Sequence, residues 1–167
     1  MDRLGDVNSD GIPDLAVASE GYSGEQNDQR ASYVLSGADG SILHKTKGES
    51  AHDYFGSSIA RIGDMDADGK DDYIVGTSGD LMDGSNTPFG SASVVSGATG
   101  VRLTNPIWPP PNTSPSWANS GHAVAGMGDL NGDGHADYAI ASDSGVSVYA
   151  GDPHLGENYC TSSVNTS

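Results

Sequence analysis

Basic side chains are scarce in this sequence. Seven Lys and Arg stand against 23 Asp and Glu, a formal net charge of −16. No basic stripe exists to neutralise phosphates, so nucleic acid is excluded as a partner. Cysteine is rarer still. Cys160 stands alone, either as a free thiol or as half of a bridge to a cysteine outside this stretch. No run of 18 apolar residues occurs, which argues against a membrane-spanning helix in this segment. Helical heptads are missing as well. Neither a Gly-x-Ser-x-Gly elbow nor a His-Glu-x-x-His pair is found, and the five histidines, at 44, 52, 122, 135 and 154, are scattered.

What is abundant is glycine, 24 of 167 residues, and aspartate in three near-copies of one short loop. The first copy carries Asp6, Asn8, Asp10 and Asp14; the second Asp64, Asp66, Asp68 and Asp72; the third Asp129, Asn131, Asp133 and Asp137. These are loop positions 1, 3, 5 and 9, and position 6 is Gly11, Gly69 or Gly134. Hard cations such as Ca2+ take six to eight oxygen ligands at about 2.3–2.6 Å. A short loop supplies them when alternate side chains turn inward and a glycine permits the sharp bend. Position 7 (Ile12, Lys70 or His135) would add its backbone carbonyl, whatever its side chain. About three Ca2+ are therefore expected.

An EF-hand would need a Glu at position 12 and flanking helices. Position 12 here is Val17, Val75 or Ile140, within short apolar, β-branched runs that read as buried strands. Each loop thus joins strand to strand. Further strands are expected upstream at 54–62 and 120–127, and downstream at 31–37, 92–97 and 145–151. Tight turns at 38–40 and 98–100 lead to fourth strands at 41–44 and 101–104, and a third turn is expected at 152–153. First ligands at 6, 64 and 129 recur at intervals suited to one four-stranded propeller blade per repeat.

With Gly5, Gly63 and Gly128 before the first ligands and Phe55-Gly56 opening one repeat, the pattern resembles FG-GAP repeats, the blades of integrin α-subunit propellers and of many secreted bacterial proteins. The third copy departs at that opening, with Ser120-Gly121. The resemblance implies an all-β fold of four-stranded antiparallel β-propeller blades, two and a half to three in number. It also assigns metal-ligand roles to the Asp and Asn residues of the three loops.

Expected boundaries are 1–53 for a first blade short of most of its first strand, 54–119 for a second, 120–156 for a third, and 157–167 for a tail or the start of another segment. So few blades would not close a ring of about four to eight. A piece of a longer propeller is favoured over several assembling copies or an open arc, so further blades from the same chain or another copy are expected partners.

Ten carboxylates occupy the ligand positions of the loops, and crowding them without a cation incurs like-charge repulsion. Folding is expected to be calcium-linked, with the four-carboxylate second loop tightest. Such sites favour an extracellular or cell-surface, secreted setting, where millimolar calcium fills them. Sequons at Asn112 and Asn165 carry little weight.

In a four-stranded blade the calcium loops share one face, and the longer loops lie on the other. One of these, 105–119, is rich in proline and holds both tryptophans, Trp108 and Trp117. A lip of Trp108, Trp117, Tyr22, Tyr54 and Met82 would bind a protein or carbohydrate; the competing view packs the tryptophans against the blade sides and is slightly favoured. No catalytic residue is assigned. The main expectation is a recognition or adhesion module, and its rivals are an accessory propeller of a secreted hydrolase or lyase and a passive calcium-rigidified spacer.

Overall fold

The computed structural model describes residues 1–19, 30–48, 54–79, 90–108, 119–143, 145–151 and 160–165. Among them there is no helix. The described residues form eleven strands in three antiparallel sheets that are not closed into a barrel. The first sheet runs β1 (Asp2–Arg3), β2 (Leu15–Ser19), β3 (Ala31–Leu35), β4 (Ile42–Lys47). The second runs β5 (Phe55–Gly63), β6 (Asp72–Thr77), β7 (Ser91–Val95). The third runs β8 (Ala123–Gly128), β9 (Asp137–Ser142), β10 (Gly145–Tyr149), β11 (Cys160–Asn165).

Strand periodicity divides the side chains between two faces of each sheet. From β6, Tyr73 and Val75 join Leu4, Val7, Ala16 and Val34 of the first repeat, with Phe55 and Val95. The intervening Ile74 turns the other way, to Tyr138, Ile140 and Tyr149 of the third sheet, with Ile62, Met65 and Val94. All six residues of β6 are buried. The middle sheet thus forms a wall of both cores. In the second core the Tyr138 and Tyr149 rings stack at 5.5 Å, 9° from parallel.

One expectation is corrected. The fourth strand at 101–104 is not regular, so the second sheet has three strands. Its edge is held by single bridges, Val95 to Arg102 and Ala92 to Ile107. Between them the Thr104 hydroxyl, not a carbonyl, accepts the Val94 N–H at 3.0 Å, and Asn105-Pro106 interrupts the pairing, since proline has no N–H to offer. Within 157–167, read as a tail or the start of another segment, β11 pairs with β10 as the fourth strand of the third sheet.

Candidate metal centres

The three loops repeat one hydrogen-bond pattern. The position-1 carboxylate accepts the N–H groups of positions 5 and 6: Asp6 from Asp10 and Gly11 at 3.0 and 2.9 Å, Asp64 from Asp68 and Gly69 at 3.1 and 2.9 Å, Asp129 from Asp133 and Gly134 at 3.2 and 2.9 Å. The position-3 oxygen also accepts the position-5 N–H, at 3.0 Å for Asn8, 3.2 Å for Asp66 and 2.8 Å for Asn131. Position 5 accepts the N–H of position 7 at 2.8 Å in every copy, as Asp10 from Ile12, Asp68 from Lys70 and Asp133 from His135. These bonds curl the backbone of the loop around the side chains of positions 1, 3 and 5. The curl needs left-handed backbone at position 6, where Gly11, Gly69 and Gly134 have φ of 87°, 85° and 91°. Position 4 is left-handed as well: Ser9 at 65°, Ala67 at 60° and Gly132 at 79°.

Position 9 works differently. Asp14, Asp72 and Asp137 are buried at the entry to the second strands. Each takes the N–H of position 2 on one oxygen: Val7 at 2.8 Å, Met65 at 2.7 Å, Leu130 at 2.9 Å. The other oxygen takes the N–H of a glycine beyond the third strand: Gly37 at 3.0 Å, Gly97 at 3.1 Å, Gly151 at 3.0 Å. A Cβ on any of these glycines would overlap the position-8 carbonyl of Pro13, Asp71 or Ala136. The sequence reading missed these glycines, although their recurrence after each third strand was visible. The position-9 aspartate therefore fastens three strands, not two.

In the second loop one oxygen each of Asp64, Asp66 and Asp72 lies within 4.8 Å of the others, a grouping that suits a metal ion. The donors are all carboxylate oxygens, which suits a hard cation and not a thiolate- or imidazole-seeking one. Charge is least balanced here. Burial pushes the Asp72 carboxyl up to about 6, with Asp66 and Asp68 adding to the shift. Burial and the adjacent Asp68 also raise Asp66. In the other loops the Gly11 N–H holds Asp6 below its ordinary value, and the His135 N–H does so for Asp133.

The position-7 side chains are not idle. Lys70 is half-buried and reaches the first loop, and His135 is half-buried as well. Of the residues read as a binding lip, Tyr54 and Trp108 lie at the opposite ends of the sheets. Tyr54 is exposed, with the Arg30 guanidinium 4.0 Å over its ring. Trp108 is half-buried beside Ile107, which is anchored in the second core. Tyr22, Met82 and Trp117 lie outside the described residues.

Face-packed antiparallel sheets, with an acidic loop between the first two strands of each, define a β-propeller type of repeat protein. Residues 6–75 match the FG-GAP-like repeat family, and that stretch of the chain is an FG-GAP-like repeat. It is 38% identical over 87 residues to integrin alpha-M of Mus musculus, a match to 47% of this chain and 7% of that protein. Two solved structures share the fold over 98% of the chain. They are Bacillus licheniformis rhamnogalacturonan lyase PL11 (TM-score 0.60, 16% identity, 33% of that chain) and the exotype rhamnogalacturonan lyase YesX (TM-score 0.58, 14% identity, 32% of that chain). The chain therefore spans about a third of those lyases and a small part of the integrin subunit. Among the described residues no helix is long and apolar enough to cross a membrane.

Proposed function

We propose that the chain is a calcium-stabilised recognition module of the extracellular or cell-surface side. In it Asp6, Asn8, Asp10, Asp14 and their counterparts in the other two loops hold about three Ca2+, with carbonyls from Ile12, Lys70 and His135. The observation that carries this reading is the Asp64, Asp66 and Asp72 cluster, whose buried member resists ionisation without a cation beside it. A resident ion would offset the repulsion and lock the curl of each loop. Its role is structural. A site held at a hundred times its Kd adds about 2.7 kcal/mol to folding stability. Melting in chelator and in millimolar calcium tests this: a rise of several degrees with calcium is expected, and an unchanged Tm removes the reading. The likeness to integrin alpha-M supports the surface setting.

A protein or carbohydrate partner would then bind at the far ends of the sheets through Trp108 and Tyr54, with Trp117, Tyr22 and Met82 as further contacts. Capture on a glycan array and on immobilised matrix proteins is expected, and Trp108→Ala should abolish it with little change in Tm. Loss of stability alone would instead assign Trp108 to packing.

The shared fold with two lyases over nearly the whole chain favours one second reading, an accessory propeller within a larger polysaccharide-degrading enzyme. Incubation with rhamnogalacturonan separates the two: binding without release of unsaturated ends fits the accessory role, and turnover by this chain would overturn the assignment as non-catalytic.

A further inference from the structure

The three repeats fill equivalent positions with apolar side chains, yet not all of these are covered. The registers of the first and second strands make Leu4, Ile62 and Met127 equivalent, and likewise Val7, Met65 and Leu130 at position 2 of the loops. Leu4 and Val7 are buried against the second sheet, and Ile62 and Met65 against the third. Met127 is 42% exposed and Leu130 57%. Ala92, buried in the second core, corresponds to Val146, which is 41% exposed. A Cβ placed on Gly128 would meet nothing within 4 Å, whereas at Gly5 and Gly63 it would meet Asp71 and Ala136 of the following repeat. The third sheet thus presents the leading surface that its two predecessors bury.

The first sheet presents the matching trailing surface. Leu15 corresponds to the buried Tyr73 and Tyr138, and Leu35 to the buried Val95 and Tyr149. Leu15 is 37% exposed, and its neighbour across β3, Ile42 on β4, 61%. Ile42 occupies the place of Arg102, which in the second repeat lies over the Phe55 ring at 4.7 Å.

We propose that the outer face of the third sheet is a docking surface for the outer face of the first sheet in a second copy of this chain. The contact is head to tail and continues the two seams already within the molecule. The argument is one of continuity. The leading surfaces of the first and second sheets are covered by the second and third strands of the following repeat, and such strands are what the first sheet of another copy offers. Two different patches meet, so the association is heterologous and must close or grow. Two copies bring six sheets, within the four to eight from which propellers close. This inference rests on the repeat equivalence and not on the bound ions or the ligand of the proposed function.

Sedimentation over a wide concentration range, in millimolar calcium and physiological salt, tests it. The expected result is a concentration-dependent shift from one chain to two. Met127→Asp on the leading face and Ile42→Asp on the trailing face lie outside the 6–14, 64–72 and 129–137 loops, and each should weaken self-association at least tenfold. Mixed together, the two variants should recover a 1:1 complex, because each keeps the face that the other has lost. Unchanged circular dichroism would show that both remain folded. A wild-type chain that stays monomeric throughout, or mixed variants that form no complex, would overturn the proposal.

Discussion

The Lys70 ammonium bridges two repeats, donating to the Asp6 carbonyl at 2.7 Å and to the Ser9 hydroxyl at 2.6 Å. Next to it the Asp71 carboxylate accepts the Gly5 N–H at 2.6 Å while pairing with Arg61 at 2.8 Å. Consecutive residues of the second loop therefore grip the entry of the first. The corresponding pair in the third loop, His135 and Ala136, places an apolar contact at that seam instead, with Ala136 against the second core.

Lys70→Met tests this grip. Charge-assisted hydrogen bonds to backbone contribute about 1.5–3 kcal/mol, and less where solvent reaches them. A loss of about 1–2 kcal/mol is expected in urea unfolding without calcium. Removing a cation beside Asp6 also favours a bound metal there, so the loss should shrink when calcium is added. An equal loss in both buffers would separate the tie from the metal site proposed for that loop.

Gly97→Ala should be far more damaging than its chemistry implies. The added methyl would overlap the Asp71 carbonyl and displace the N–H that serves Asp72. Overpacking of this kind costs about 1–3 kcal/mol. Gly40→Ala offers a comparison in open space, where left-handed backbone alone is at issue. If the two variants melt together, the close approach at Gly97 carries no weight.

Ala67→Gly is expected to stabilise. Ala67 sits at φ 60°, in a region that disfavours any residue with a Cβ, and the third loop already has glycine at this place. Relief of that strain, set against the entropy of a freer unfolded chain, leaves about 0.5–1 kcal/mol. A higher urea midpoint with an unaltered slope would confirm it, and a lower midpoint would refute it.

The pH dependence follows from Asp72. Its carboxyl is raised from 3.8 to about 6 in the folded chain. Between these values the folded state binds more protons than the unfolded one, so stability falls as pH rises. Without calcium, this contribution is full below about pH 4 and gone above about pH 6, and Asp66 acts in the same sense. Asp6 and Asp133 are shifted downward, so their opposite contributions are lost only as pH falls below about 4. A bound Ca2+ favours the carboxylate and should flatten the decline. Urea midpoints from pH 4 to 7, with and without calcium, give both curves.

Much of this fold was legible because its repeats are written in local terms. Spacing of oxygen-bearing residues, a glycine at position 6 and an apolar run after position 9 located the loops and the strands β2, β6 and β9. The sequence was silent where structure depends on distant partners. β11 carries Thr161, Ser162 and Ser163, with no apolar alternation to announce a strand, and it forms by pairing with β10. The fourth strand at 101–104 had the right composition, but the Thr104 hydroxyl and Asn105-Pro106 broke the ladder. Position 7 was read for its carbonyl alone. The reach of Lys70 across 64 residues could not be read from spacing.

β6 belongs to two cores at once, with Tyr73 and Val75 in one and Ile74 in the other. A repeat array whose units touch only their neighbours can come apart piece by piece. Here the shared strand removes that freedom, since opening either seam exposes one side of the same six residues. The molecule should lose its structure in a single step, with the amide protons of β6 the last to exchange with solvent.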